Sequence, residues 1–315
     1  MRRALVVALV TLGLAGRAHG FVRRLVADDP SKPVFWREGC VPVTIYLNGF
    51  DRSPNNHDLD VPSIEKSIVA AAHAWSSDGI SCDASGDGPS FEIVPTLAPL
   101  DAKPPAVGYD AKNIVVFRLA DWPYNNEALA KTTVTPSSDD GHILDVDIEI
   151  NAYTPGQAWM NLDPGATPPP DPPHVSEAVR FFDLQAALTH EFGHFMGLMH
   201  TCFRPEDGAH LSNETGAPIK DCTDPTADRS PVMDPTIDPG QARQRALTGD
   251  DADGVCAIAG PAREATCALD TSAPGCATAA PPRPSRAPLA ASTVLAGAAG
   301  LAALARRRRR ARQRS

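Results

Sequence analysis

Apolar and polar residues follow two different periods along the chain, and these predict where strands and helices lie. β-Branched and aromatic residues cluster at positions 41–47, 91–94 and 113–119, which predicts three strands. Residues 141–151 alternate apolar with acidic side chains. This period of two predicts a fourth, half-buried strand with one acidic face in solvent.

Two helices are predicted by apolar residues that recur every three or four positions. Asp60 is a suitable N-cap for the first helix, and Pro62 fits its first turn. Asp183 can cap the second helix, and residues 154–173, rich in Pro and Gly, predict a surface loop before it. The apolar stripe of the second helix consists of Leu184, Leu188, Phe192 and Phe195. This order of elements predicts an α/β or α+β fold.

The second helix carries histidines at spacings that suit a metal ion. His190 and His194 are four residues apart, so a helix places both imidazoles on one face, with Glu191 beside them as a general base. Gly197 can end the helix with a positive φ, and the turn returns His200 as a third ligand. Three protein ligands leave one position of tetrahedral Zn²⁺ open, which is typical of a catalytic zinc site. The alternative is a buried amphipathic helix whose histidines are hydrogen-bonded core residues.

The spacing His-Glu-x-x-His-x-x-Gly-x-x-His resembles that of the metzincin zinc endopeptidases. Those proteins carry a methionine turn downstream, and residues 230–235 resemble it, so Met233 is expected to form a hydrophobic floor beneath the metal. No tyrosine follows Met233 in the sequence, which favours the matrixin-like branch over the astacin or serralysin type. The resemblance implies a twisted mixed sheet with an active-site helix, and a smaller, irregular C-terminal lobe across a cleft.

Two further segments extend the resemblance. Residues 141–151 resemble the matrixin edge strand that pairs with an extended peptide substrate through its backbone. An ordinary edge strand with a solvated acidic face is the alternative. Residues 247–255 resemble the start of the last matrixin helix, with Thr248 as N-cap. In matrixins, acidic residues there hold the methionine turn and the chain's N-terminus, which here implicates Asp250 or Asp251.

Matrixins often bind structural calcium, and the resemblance therefore draws attention to acidic residues outside the helix. Asp139, Asp140 and Asp163 are the candidates for Ca²⁺ ligands, since Ca²⁺ prefers carboxylate and carbonyl oxygens. A solvated acidic surface is the alternative interpretation of these three residues.

Both ends of the chain resemble targeting segments. Residues 1–20 combine a basic start with an apolar run and small residues, which predicts a signal peptide and an exported protein. Residues 21–35 form a short N-terminal segment, 36–259 the catalytic domain, and 260–286 a Pro/Ala-rich linker that contains Cys276. Residues 287–315 join an apolar stretch to an arginine block, which predicts membrane contact.

The tail resembles the sorting signals of Gram-negative surface proteins, particularly the myxobacterial type, in which a cysteine precedes a weak hydrophobic helix and an arginine cluster. The resemblance implies that Cys276 is the processing or anchoring residue. A plain membrane anchor and a basic tail that binds nucleic acid are the alternatives, although the signal peptide argues against the second.

Cysteine usage agrees with export. Setting Cys276 aside leaves six cysteines, an even number that suits disulfides in an oxidising compartment. Six cysteines allow 15 connectivities, of which one is our hypothesis. It pairs Cys202 with Cys222, Cys40 with Cys82, and Cys256 with Cys267. A competing idea is that Cys40 is a thiolate latch on the zinc, although the residues around it do not follow the matrixin latch motif.

The net charge of the chain argues against one class of binding partner. All 38 acidic residues lie between the signal peptide and Cys276, against 17 basic ones there, so this body carries a charge near −21 (17 − 38). Such acidity disfavours nucleic acid as a partner. The histidine motif and the resemblance to metzincins together imply a monomeric zinc metalloendopeptidase that acts on a protein or peptide substrate. A catalytically silent adhesion module with a structural metal, and a zinc hydrolase of non-peptide amides, are the alternatives.

Overall fold

In the residues that the structure describes, a five-stranded mixed sheet and three α-helices make up most of the regular structure. The computed structural model describes residues 20–76, 80–82, 89, 91–162, 179–204, 212–213 and 216–259, all within one compact unit. The strands in these residues are β1 (Val22–Arg23), β2 (Leu25–Val26), β3 (Asp29–Pro33), β4 (Cys40–Tyr46), β5 (Glu92–Leu97), β6 (Ile114–Arg118), β7 (Ala130–Pro136), β8 (Ile143–Asn151), β9 (Gln157–Met160), β10 (Arg180–Asp183) and β11 (Leu198–Met199). The helices are α1 (Val61–Ala74), α2 (Leu184–Met196) and α3 (Gly249–Ala259).

The main sheet has the strand order β5-β4-β6-β8-β7. Strand β4 is parallel to β5 and β6, and β6 is parallel to β8, whereas β7 runs antiparallel to β8. The predicted strands at 41–47, 91–94 and 113–119 are therefore confirmed as β4, β5 and β6 within a few residues, as is the mixed α and β character of the fold. The prediction that residues 141–151 form the edge strand was wrong, because β8 lies inside the sheet and β7 is at its edge.

The acidic face of β8 is buried, which explains the error. Asp147 and Glu149 are 2% and 1% exposed. The backbone N–H of Gly108 donates to Asp147 at 2.6 Å. Arg118 and the hydroxyl of Tyr124 bind Glu149 at 2.5 and 2.6 Å. Loops that approach from elsewhere in the chain therefore cover this face, and a period-two pattern alone cannot distinguish such cover from solvent.

Helix α2 is buried on nearly all sides between α1, the sheet and the irregular C-terminal segment. Its stripe side chains, Leu184, Leu188, Phe192 and Phe195, are each 0% exposed. Burial of one such side chain contributes about 1.5–3 kcal/mol. The indole N–H of Trp75, just past α1, donates to the carbonyl oxygen of Thr189 at 2.8 Å. The apolar stripe and this hydrogen bond fix α2 rigidly against α1.

Disulfides join distant parts of the chain. The predicted bond between Cys202 and Cys222 is confirmed, with the two Cα atoms 5.0 Å apart. Cys82 bonds to Cys256 on α3, so both remaining predicted pairs were wrong. Packing of α3 near residue 82 brings together residues 174 positions apart, which sequence proximity cannot indicate. Cys40 is also disulfide-bonded, which removes the thiolate that a latch needs.

The predicted targeting segments lie largely outside the described residues. Only Gly20 of the signal segment is described, and the linker with Cys276, the tail and Asp163 are not. Within the described part, no helix is long and apolar enough to cross a membrane. The disulfides are consistent with an extracellular protein.

Candidate metal centre

An aspartate cap at one end and a glycine turn at the other fix the limits of the histidine-bearing helix. The carboxylate of Asp183 accepts from the N–H of Ala186 at 2.7 Å, as the predicted N-cap requires, and it also binds Arg245. Gly197 ends the helix with a φ of 103°, in the left-handed region that favours glycine. A Cβ at Gly197 would approach the carbonyl oxygen of Val34 to 3.1 Å. The sharp turn at this glycine leads directly into β11 and His200.

Three imidazoles converge at the C-terminal end of α2. His190, His194 and His200 place one ligand nitrogen each within 4.8 Å of the others, and His190 is 5% exposed. The Nε2 atoms of His194 and His200 are 3.1 Å apart. Zn–N bonds of about 2.0–2.1 Å at a tetrahedral angle would place ligand nitrogens about 3.3 Å apart. The triad can therefore hold a metal ion, and its nitrogen donors suit zinc among other transition metals.

Backbone carbonyls orient two of these rings. Nδ1 of His190 lies 2.7 Å from the carbonyl oxygen of Val232, and Nδ1 of His194 lies 2.8 Å from that of Leu198. A carbonyl oxygen only accepts, so each Nδ1 donates and each ring is oriented with Nε2 left as its ligand atom. Burial lowers the pKa of His194 well below its usual value, and the neighbouring histidines add to this effect. The lowered pKa keeps His194 in the neutral form that binds a metal.

Helix α3 holds the loop that contains Met233 through hydrogen bonds to its backbone. One carboxylate oxygen of Asp251, which is 1% exposed, accepts from the N–H of Val232 at 3.0 Å and from the N–H of Thr248 at 2.8 Å. The Met233 side chain is buried, and its sulfur lies against Gly193, between the first two histidines of α2. Asp251 therefore holds the backbone that orients His190 and supports the floor of the site.

Asp250 holds the N-terminal segment. Its Oδ1 accepts from the N–H groups of Gly20 and Phe21 at 2.6 and 3.0 Å. Burial raises the pKa of this carboxyl group. The expectation that acidic residues here bind both the methionine loop and the N-terminal segment therefore applies to two neighbouring side chains, with one task each.

Glu191 lies beside the triad and is largely buried. It is 6% exposed, and its Oε2 accepts from the hydroxyl of Thr132 on β7 at 2.5 Å. Burial raises the pKa of the Glu191 carboxyl group, while the nearby His190 and Thr132 partly oppose this effect. A carboxylate with a raised pKa beside a metal site is suited to accept and return a proton.

The triad and Glu191 open into a cleft of about 740 Å³. Residues 130–132 of the edge strand β7 and residues 235–239 of the irregular C-terminal segment both line this cleft. The site therefore lies between the edge of the sheet and a loop wall.

The calcium expectation finds no support in the described residues. Asp140 accepts hydrogen bonds from Arg37 and His142, so its carboxylate already has cationic or donor partners. Among the residues that the structure describes, the histidine triad is the one group of three or more His, Cys, Asp or Glu placed to hold a metal ion.

The sequence left several supporting residues unrecognised. Thr132 lies in a stretch, residues 130–136, whose Thr and Val content could have indicated a strand. Trp75 is fully buried, and nothing in the sequence indicated that it packs against Gly193. Such contacts join segments far apart in the chain, so no local pattern reveals them.

Comparison with models of known protein families gives no match, and a search of curated proteins finds none of significant similarity.

Proposed function

We propose that this chain is an exported zinc-dependent metalloendopeptidase of the metzincin type, closest in its motifs to the matrixin-like branch. The observation that carries the proposal is the combination of a three-histidine centre with a buried glutamate beside it, in an open cleft. A structural zinc site usually has four protein ligands, whereas three nitrogens leave a position for a reacting molecule. A zinc ion bound there would act as a Lewis acid that lowers the pKa of water and polarises a carbonyl group.

The chain's own residues would then perform the proton transfers. Glu191 would accept a proton from the attacking water and pass it to the departing amine. The hydrogen bond from Thr132 holds one oxygen of the Glu191 carboxylate, so the other oxygen is left to face the reacting atoms. Burial of Glu191 supports this role, because it raises the pKa of the carboxyl group toward neutral pH. A group whose pKa lies closer to the working pH can both accept and donate a proton efficiently.

The edge strand β7 would bind the peptide. It lies at the open side of the sheet and its residues 130–132 line the cleft, so an extended peptide could pair with its backbone. This assignment replaces the sequence-based one, in which β8 paired with the substrate. Peptide bonds fit such an edge better than isolated small amides, because pairing requires a repeating backbone.

The test uses the purified protein, stripped of metal with a chelator and reloaded with zinc, against a mixture of unstructured peptides. We expect cleavage that is lost on chelation and restored by Zn²⁺. Glu191→Gln should bind one zinc per chain by elemental analysis and lose about 10²–10⁴-fold in kcat/KM. Glu65→Gln, an equal change of charge on the exposed surface of α1, is the matched control and should keep full activity.

Two results would contradict the proposal. Zinc binding without cleavage of any peptide by the wild-type protein would indicate an adhesion module with a structural metal. Wild-type activity in Glu191→Gln would show that this glutamate is not the general base.

A further inference from the structure

The walls of the cleft carry positive charge although the chain as a whole is acidic. The full chain has 38 Asp and Glu against 29 Lys and Arg. Apart from Glu191, the charged residues that line the cleft are Arg24, Lys131, Arg180 and Arg204 on the positive side and Glu127 and Asp238 on the negative side. The local excess of cations is therefore opposite in sign to that of the whole molecule.

Arg24 and a second cleft arginine, Arg180, differ in their partners among the described residues. Arg180 forms an ion pair with Glu127 at 2.6 Å. Among the described residues, no carboxylate or hydrogen-bond acceptor lies within bonding distance of the guanidinium of Arg24, which is partly buried in the cleft wall. A partly buried cation without a partner carries a desolvation cost that an incoming carboxylate would offset.

The backbone of Arg24 is fixed next to the metal centre. Its N–H donates to the carbonyl oxygen of Gly197 at 2.8 Å, and its own carbonyl accepts from the N–H of Val34 at 2.8 Å. Just before Arg24, β1 pairs with β11, so that Val22, two positions earlier, lies opposite Met199, the residue before His200. The guanidinium therefore extends from a rigid base, and binding a ligand needs little further ordering of the backbone.

We propose that Arg24 is a specificity-determining residue that selects peptides with a carboxylate group close to the scissile bond. The inference rests on the proposed function and names its substrate class. A guanidinium can bind a carboxylate through two parallel hydrogen bonds, a geometry that an amide or an ammonium group in the substrate cannot provide. The carboxylate can belong to an acidic side chain or to the C-terminus of a short peptide.

The experiment measures kcat/KM of the zinc-loaded protein for matched peptides that carry Glu, Gln or Lys at each position around one cleaved bond. Each peptide is made with a free and with an amidated C-terminus, which separates the two sources of the carboxylate. We expect one position, or the free C-terminus, to favour the carboxylate by about 10- to 100-fold, as charge-assisted hydrogen bonds do. Arg24→Gln should abolish this preference, and Arg24→Lys should keep only part of it.

A binding measurement provides a readout besides activity. The Glu191→Gln protein loaded with zinc should hold the preferred peptide without cleaving it. Adding Arg24→Gln should weaken this binding by a similar factor, while the Gln-containing peptide binds both proteins equally. Arg52→Gln removes the same charge from an exposed side chain that pairs with Asp51, and it should leave the preference unchanged.

The outcomes separate the two proposals. Cleavage by the wild-type protein with no preference for carboxylate, or a preference that survives in Arg24→Gln, would overturn the role of Arg24 and leave the endopeptidase assignment intact. If no peptide is cleaved, the endopeptidase assignment fails. The binding measurement then decides on Arg24 alone: equal binding of Glu and Gln peptides would refute its role, and selective binding lost in Arg24→Gln would support it.

Discussion

Replacing Gly193 by alanine adds one methyl group at the point where the histidine helix meets the floor of the site. A Cβ built on Gly193 would overlap the sulfur of Met233 and lie 2.8 Å from Cζ2 and 3.1 Å from Cη2 of Trp75. Both neighbours are buried, at 1% and 0% exposure. Although the Met233 side chain can rotate, the Trp75 ring is held by its hydrogen bond to Thr189, so the helix itself must move.

Two opposing contributions determine how Gly193→Ala changes the free energy of unfolding. Alanine is favoured over glycine inside a helix by about 1 kcal/mol. Overpacking of a dense core costs about 1–3 kcal/mol, and a rigid indole ring places this site at the upper end of that range. We therefore expect Gly193→Ala to lower the free energy of unfolding by about 1–2 kcal/mol. A shift of α2 against the Met233 loop should also weaken zinc binding by about tenfold or more, because Val232 orients His190.

Urea denaturation, with the metal removed and with zinc added, measures the stability, and competition with a chelating dye measures zinc affinity. Gly249→Ala at the start of α3 is the matched control, because a Cβ there meets nothing within 4 Å. The control should be unchanged or slightly stabilised. If Gly193→Ala proved as stable as the wild type and bound zinc equally well, the close packing of Gly193, Met233 and Trp75 would not constrain the site.

Two further substitutions test other parts of the structure. Asp251→Asn replaces an acceptor of three N–H groups and one hydroxyl, and should cost about 2–3 kcal/mol in urea denaturation and weaken zinc binding. Burial, with like charges nearby, raises the pKa of Asp147 to about 6 from 3.8. At this carboxyl group the native state therefore binds more protons than the unfolded state between these values, so the contribution of Asp147 to the free energy of unfolding falls as pH rises from 4 to 6. Asp147→Asn should remove this contribution and stabilise the protein by about 1 kcal/mol at pH 8 relative to the wild type, measured by urea denaturation at pH 4, 6 and 8.

The control for both substitutions is the same change at an exposed carboxylate. Asp101→Asn, at an exposed position, should alter neither the stability nor its pH dependence. Unchanged zinc affinity in Asp251→Asn would mean that the Met233 loop holds His190 without help from α3. If the difference in stability between Asp147→Asn and the wild type were the same at pH 4 and pH 8, Asp147 would make no contribution to the pH dependence.

Local patterns in the sequence determined the elements that carry the chemistry. His190, His194 and Glu191 lie on one helix, and the Asp183 cap and Gly197 turn act within a few residues of it. Such features depend on helix geometry and on backbone preferences of single residues, which act over one or two turns. The confirmed disulfide, Cys202–Cys222, closes a loop of only 20 positions. The sequence was therefore sufficient for the ligand set and for the helix that presents it.

Contacts between distant segments were decided only in the tertiary structure. The alternating acids of β8 suggested a solvated edge, yet loops from outside the strand bury Asp147 and Glu149, and β7 takes the edge position. The bond between Cys82 and Cys256 and the approach of Trp75 to Gly193 likewise join segments that are far apart in the chain. The lack of an acceptor beside the Arg24 guanidinium among the described residues is likewise a matter of tertiary packing, since it depends on what surrounds the side chain. Period and spacing report which face of an element a residue occupies, whereas the neighbour on that face is set by how the whole chain packs.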